Sequence, residues 1–150
     1  MNTPNNKRYR DMTESINAAF ASLLQNKEPR DITVTDICEI AGIERSTFYA
    51  HYNDVAVLAN DYAAQIEKQV SEQQHTDDDF SWIFDYIKKH PDLFKNYFKL
   101  GVSQVSSDYE TIFFRNGAYS VAKMWFDGGR IESSEQMGKI IKREYEKLYK

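Results

Sequence analysis

The chain has 150 residues, of which 41% are hydrophobic and 28% charged, the balance of a soluble globular protein with room for one or two small domains and a buried core. No apolar run approaches the ~20 residues of a membrane span, the N-terminus lacks the apolar centre of a signal peptide, and the single cysteine excludes an internal disulfide; a cytoplasmic protein is expected. The formal net charge of −4 argues against nucleic acid as the sole partner, unless the positive charge is concentrated where a partner meets it.

Residues 1 to 6 are polar and expected to be disordered. Ile16, Phe20, Leu23 and Leu24 then repeat at helical spacing, which predicts a helix from about Lys7 to Asn26, opening on the basic cluster Lys7, Arg8 and Arg10. An arm there can meet phosphates. Residues 27 to 31 contain Pro29 and read as a loop. From Ile32 to Tyr52 the pattern is compressed: hydroxyl and carboxylate caps at Thr33 to Asp36, a short apolar helix through Ile37 and Ile40, Gly42 as its stop, and a second short helix from Arg45 towards Tyr52 with Phe48 and Tyr52 on one face. Two short helices joined at a glycine are a helix-turn-helix, and the second begins with Arg45, Ser46 and Thr47, side chains that can reach base edges or phosphates. On spacing alone, an ordinary helical hairpin fits as well. Cys38 reads as packing on the first helix, with redox sensing as the alternative.

Asp54 reads as the N-cap of a longer helix to about Gln73, with Val55, Leu58, Tyr62, Ile66 and Val70 as its apolar stripe. The polar run 73 to 79 includes Asp77, Asp78 and Asp79; without a turn glycine and a late glutamate these do not form a calcium loop, and a charged helix start is expected. Amphipathic helices follow over Phe80 to Lys89 and from Pro91 towards Gly101, and residues 102 to 108 read as a loop. A helix from about Ser107 to Asp127 carries Phe114, Ala118, Val121, Ala122 and Trp125, and Ser133 with Gln136 forms a capping box opening a last helix striped by Met137, Ile140, Ile141, Tyr145 and Leu148. Two such terminal helices can pair with their copies in a four-helix bundle, which assigns Gly117, Ala118, Val121, Ala122, Trp125, Ile140, Ile141, Tyr145 and Leu148 to a homodimer interface. The alternative is that both faces are buried inside one subunit.

The run Thr33-Val34-Thr35-Asp36-Ile37-Cys38-Glu39-Ile40-Ala41-Gly42-Ile43, followed by Ser46-Thr47-Phe48-Tyr49-Ala50-His51-Tyr52, resembles the DNA-binding signature of the TetR family of bacterial transcriptional regulators. The segment Asn116 to Gly129, with Ser133-Ser134-Glu135-Gln136-Met137 after it, resembles the C-terminal domain of a Firmicutes-type branch of that family. The resemblance implies an all-α protein with a three-helix DNA-binding domain over residues 1–53 and a helical effector and dimerisation domain over 54–150. It further implies a homodimer on a near-palindromic double-stranded operator, repression as the default outcome, and release by a small-molecule inducer. Arg45, Ser46, Thr47 and Ala50 would then face bases, while Thr33, Thr35, Tyr49, His51, Lys7 and Arg8 would hold phosphates. Tyr86, Phe94, Tyr97, Phe98, Tyr109, Phe113 and Trp125 can line an aromatic inducer pocket, or each can be ordinary core. One departure stands out: where the family usually has a lysine on a phosphate, this chain has Asn53-Asp54-Val55.

Two other function classes compete. Residues 1–53 hold six Lys/Arg against seven Asp/Glu, and this acidic balance with Asp54 suits a TetR-like coregulator that acts through a protein partner. An enzyme lacks support: there is no Gly-x-Ser-x-Gly, His-Glu-x-x-His or phosphate loop, and His51, His75 and His90 stand at unrelated points. No cofactor or metal is expected.

Overall fold

The computed structural model describes residues 6–73, 79–104 and 108–150; the expectations for residues 1–5, for Asp77 and Asp78, and for the loop at 105–107 lie outside these. The described residues are all-α, with helices α1 (Lys7–Leu24), α2 (Val34–Ala41), α3 (Arg45–Tyr49), α4 (Val55–Ser71), α5 (Ser81–Lys89), α6 (Pro91–Leu100), α7 (Tyr109–Asp127) and α8 (Ser134–Tyr149). No helix among them is long and apolar enough to cross a membrane.

The chain divides into two compact units, one ending at Tyr62 and one beginning at Ala63. The division falls inside α4. The physical reason is that the first turns of α4 serve the N-terminal unit: Tyr62 meets Phe20 edge-on at 5.6 Å, and Asp61 accepts a 2.9 Å hydrogen bond from the Tyr52 hydroxyl.

In the N-terminal unit the apolar positions of α1 face inward, with Ile16, Phe20 and Leu24 fully buried. Asn6 caps α1 by accepting from the Arg8 amide at 2.9 Å. The segment after α1 contains one turn of 3₁₀ helix at Pro29–Asp31, where proline supplies a first-turn φ. Helix α2 starts on a reciprocal capping box between Thr33 and Asp36 and stops at Gly42, whose φ of 67° is a left-handed conformation that glycine adopts without a Cβ penalty. Helix α3 is shorter than its apolar spacing suggests, because Ala50 and His51 leave the helix in a turn before Tyr52. Phe48 is its fully buried anchor, and Tyr52 beyond it is also buried.

The C-terminal unit is built on an aromatic core of Phe84, Ile87, Phe94, Phe98, Ala122, Trp125, Met137 and Ile141. Helices α5 and α8 lie against each other so closely that a Cβ on Gly138 would stand 2.5 Å from the Ser81 amide nitrogen. Asp79 caps α5 through the Ser81 amide and hydroxyl, Asp108 caps α7 through the Thr111 amide, and Ser133 with Gln136 closes the capping box of α8.

Candidate nucleic-acid interface and effector pocket

The fold of the N-terminal unit determines which side chains around Gly42 reach solvent. Because Phe48 is buried beneath α3, the residues on the other side of that single turn of helix point outward: Arg45, Ser46, Tyr49 and Ala50 are exposed, and Thr47 is half-buried. Arg45 and Tyr49 are one turn apart, with Nη2 of the guanidinium 3.4 Å from the phenol oxygen, and this contact raises the Arg45 pKa further. Thr33 and Thr35 are exposed at the start of α2, where the Thr33 Oγ1 already accepts from the Asp36 amide at 3.1 Å. Asp36 is held below the usual carboxylate range by the Thr33 amide and by Lys27 at 3.0 Å.

Lys7 and Arg8 are exposed on the first turn of α1, which contains no acidic residue. Positive charge there opposes the helix macrodipole, which favours anions at a helix start. Asp54 is exposed too, and its Oδ1 accepts from the Val57 amide at 2.8 Å, so the residue that replaces the expected lysine is the cap of α4.

His51 is placed differently from a residue that simply faces phosphate. It is half-buried, its ring stacks on Tyr9 with centroids 4.0 Å apart, and Nδ1 lies 2.9 Å from Thr13 Oγ1. That hydroxyl donates to the Tyr9 carbonyl at 3.0 Å, and the tautomer that satisfies both contacts has the imidazole donating through Nδ1–H. Burial lowers the His51 pKa, and the neutral ring in this tautomer offers Nε2 as an acceptor. Next to it, Asn17 Nδ2 donates to the Thr13 carbonyl at 2.8 Å and to the Tyr52 hydroxyl at 3.1 Å, and Tyr52 donates to Asp61. Sequence spacing missed this network, since Asn17 and Asp61 read only as polar positions beside apolar stripes.

In the C-terminal unit a pocket of about 210 Å³ opens among α4, α5, α6 and α7. Phe94, Tyr97 and Phe98 line it. The other aromatics considered for it do not: Trp125 is buried in the core with Nε1 donating to the Glu132 carbonyl at 3.0 Å, Tyr86 lies against His90 with ring centroids 4.3 Å apart, and Tyr109 and Phe113 are 91% and 69% exposed on the opposite side of α7. In their place stand Glu67, Arg115 and Tyr119. Glu67 Oε1 accepts from the Tyr97 hydroxyl at 2.9 Å and the Ser103 amide at 2.8 Å, and Oε2 accepts from the Ser103 hydroxyl and from Arg115 Nη2 at 2.7 Å. Burial first, and the Glu67 carboxylate next, push the Tyr97 phenol far above its ordinary pKa, so it remains a donor.

The residues considered for a subunit interface separate in the same way. Ala122, Trp125 and Ile141 are buried within the protomer and have no surface to give a partner, Ala118, Val121, Ile140 and Tyr145 are half-buried, and Gly117 and Leu148 are exposed. The exposed apolar stripe of α7 is instead Tyr109, Ile112, Phe113 and Met124, running past Gly117 on the side away from Phe114, Ala118 and Trp125. Among the described residues, no group of three His, Cys, Asp or Glu side chains is placed to hold a metal ion. No family model matches the chain, and no curated protein matches it.

Proposed function

We propose that this chain is a TetR-like transcriptional regulator that binds a near-palindromic DNA operator as a homodimer and acts, in the default mode of that family, as a repressor. In this reading α2, the Gly42 turn and α3 are a helix-turn-helix, and α3 enters the major groove with Arg45 and Ser46 leading. The observation that carries it is the exposed polar face of α3, held in place by a fully buried Phe48. Basic residues at the start of α1 support it, because Lys7 and Arg8 work against the helix dipole there and gain from an anionic partner. The C-terminal unit supplies the pocket for an effector and, through the exposed stripe of α7, the surface for a second copy. An effector would act by binding the conformation that does not hold DNA more tightly, since equal affinity for both conformations shifts nothing.

Duplex binding measured across a salt series tests this. Lys7→Ala and Arg8→Ala should each weaken binding to all sequences and lower the slope of log affinity against log salt by about one. Arg45→Ala should lose about 1–3 kcal/mol on a preferred sequence and much less on a scrambled one. Absence of duplex binding at low salt overturns the reading. The exposed Asp54 at the head of α4 favours one second reading, a coregulator that works through another protein, and a stable protein complex without a DNA footprint would be its signature.

A further inference from the structure

We infer that the pocket of the C-terminal unit takes an apolar monocarboxylate of about ten non-hydrogen atoms, with its carboxylate on the Arg115 guanidinium, a step that rests on the effector pocket of the reading above. The size follows from the volume. An apolar cavity of ~150 Å³ holds one benzene molecule, so about 210 Å³ admits a ring with a short acid tail or a chain of about eight carbons.

The chemistry follows from a count of donors and acceptors. Ile66, Val70, Ile83, Phe98 and Ala118 give the walls no polar side-chain atoms. Among the polar side chains, Glu67 is saturated: a carboxylate has about four lone-pair positions, and Tyr97, the Ser103 amide, the Ser103 hydroxyl and Arg115 occupy them. It has no acceptor left for an amine or a hydroxyl brought by a ligand. The two phenols are committed as donors as well, Tyr97 to Glu67 and Tyr119 to the Phe98 carbonyl at 2.9 Å. Arg115 is the opposite case. Guanidinium carries five N–H donors, and among the described residues only its Nη2 reaches partners, Glu67 at 2.7 Å and Ser103 Oγ at 3.5 Å. The pocket therefore has surplus charged donors, concentrated on a planar cation whose fork matches a carboxylate, while the acceptors it keeps are the neutral phenol oxygens of Tyr97 and Tyr119.

Because Glu67 is held by three donors besides Arg115, its charge is shared among them, and the guanidinium keeps attraction for a second carboxylate. Glu67 also belongs to α4, so a ligand drawing on Arg115 acts on the ion pair that fastens this helix to α7.

The test is calorimetric titration of the full-length protein with octanoate, 1-octanol and octylamine, with 3-phenylpropionate to separate a ring from a chain. Octanoate or 3-phenylpropionate should bind at least about tenfold more tightly than octanol, and octylamine most weakly. Arg115→Lys, which keeps the charge and loses the fork, should erase about tenfold of the carboxylate affinity and leave octanol unchanged. Equal affinity for octanoate and octanol, tighter binding of octylamine, or no binding of either acid at millimolar concentration overturns the inference, and none of these outcomes depends on a variant that folds. Duplex binding is measured on the same preparation. Intact DNA binding without carboxylate binding defeats this inference alone, whereas carboxylate binding without DNA binding defeats the regulator reading alone.

Discussion

The His51 imidazole and the Tyr9 carbonyl compete for one threonine proton, and the outcome determines what the ring can do. With Thr13 donating to Tyr9, His51 donates through Nδ1, and its burial disfavours the charged form. Its folded pKa thus lies below the unfolded value near 6.5. A lowered native pKa means that the unfolded chain binds the proton more readily. The stability this residue contributes is fully present above about pH 6.5 and is lost as the pH falls below it. Urea unfolding of the wild type should therefore weaken between pH 7 and pH 5.5 by more than that of His51→Asn, which keeps a donor near Thr13. Parallel pH profiles would contradict the assignment. The sequence placed His51 beside Tyr52 at a position suited to phosphate, but it could not show that Tyr9 and Thr13 of α1 stack on and bond to that ring. The partners lie 38 residues away in Thr13 and more in Tyr9, and no local periodicity encodes them.

Helices α5 and α8 make the case at the level of elements. A Cβ at position 138 would come within 2.8 Å of the Ser81 Cα as well as 2.5 Å of its nitrogen, and backbone cannot move aside as a side-chain tip can. Alanine gains up to about 1 kcal/mol of helix propensity over glycine, whereas forcing atoms into a packed contact costs about 1–3 kcal/mol. The clash wins, and Gly138→Ala should lower the stability of the protein by about 1–2 kcal/mol in a denaturant titration. A stabilised variant would mean that the two helices separate without cost. The elements themselves were legible: apolar spacing located each of the helices, and Thr33, Gly42, Pro91, Ser133 and Gln136 marked ends that the structure places within a residue or two. Which face of α7 turns inward was not legible. The helix is apolar on both sides, so Phe114 and Trp125 on one and Phe113 and Met124 on the other look alike in sequence, and only packing against Phe84 and Met137 decides between them. Glu67 and Arg115 were hidden for a related reason. They are charges next to apolar stripes on helices 48 residues apart, each readable alone as a solvated position.

At the scale of the whole molecule, the proposed regulator would carry its reading helix, its effector pocket and its apolar stripe on a chain of net charge −4. In that proposal a small basic footprint would give weak nonspecific attraction, and base contacts from two copies of α3 would supply most of the discrimination. The proposed homodimer would read two half-sites separated by about one helical turn or a multiple of it. The central measurement is a binding selection from randomised duplex DNA, run with the full-length protein at low and at near-physiological salt. The account predicts enrichment of a palindrome that survives the higher salt and disappears with Arg45→Ala. Binding that vanishes at the higher salt without enriching any sequence would contradict it.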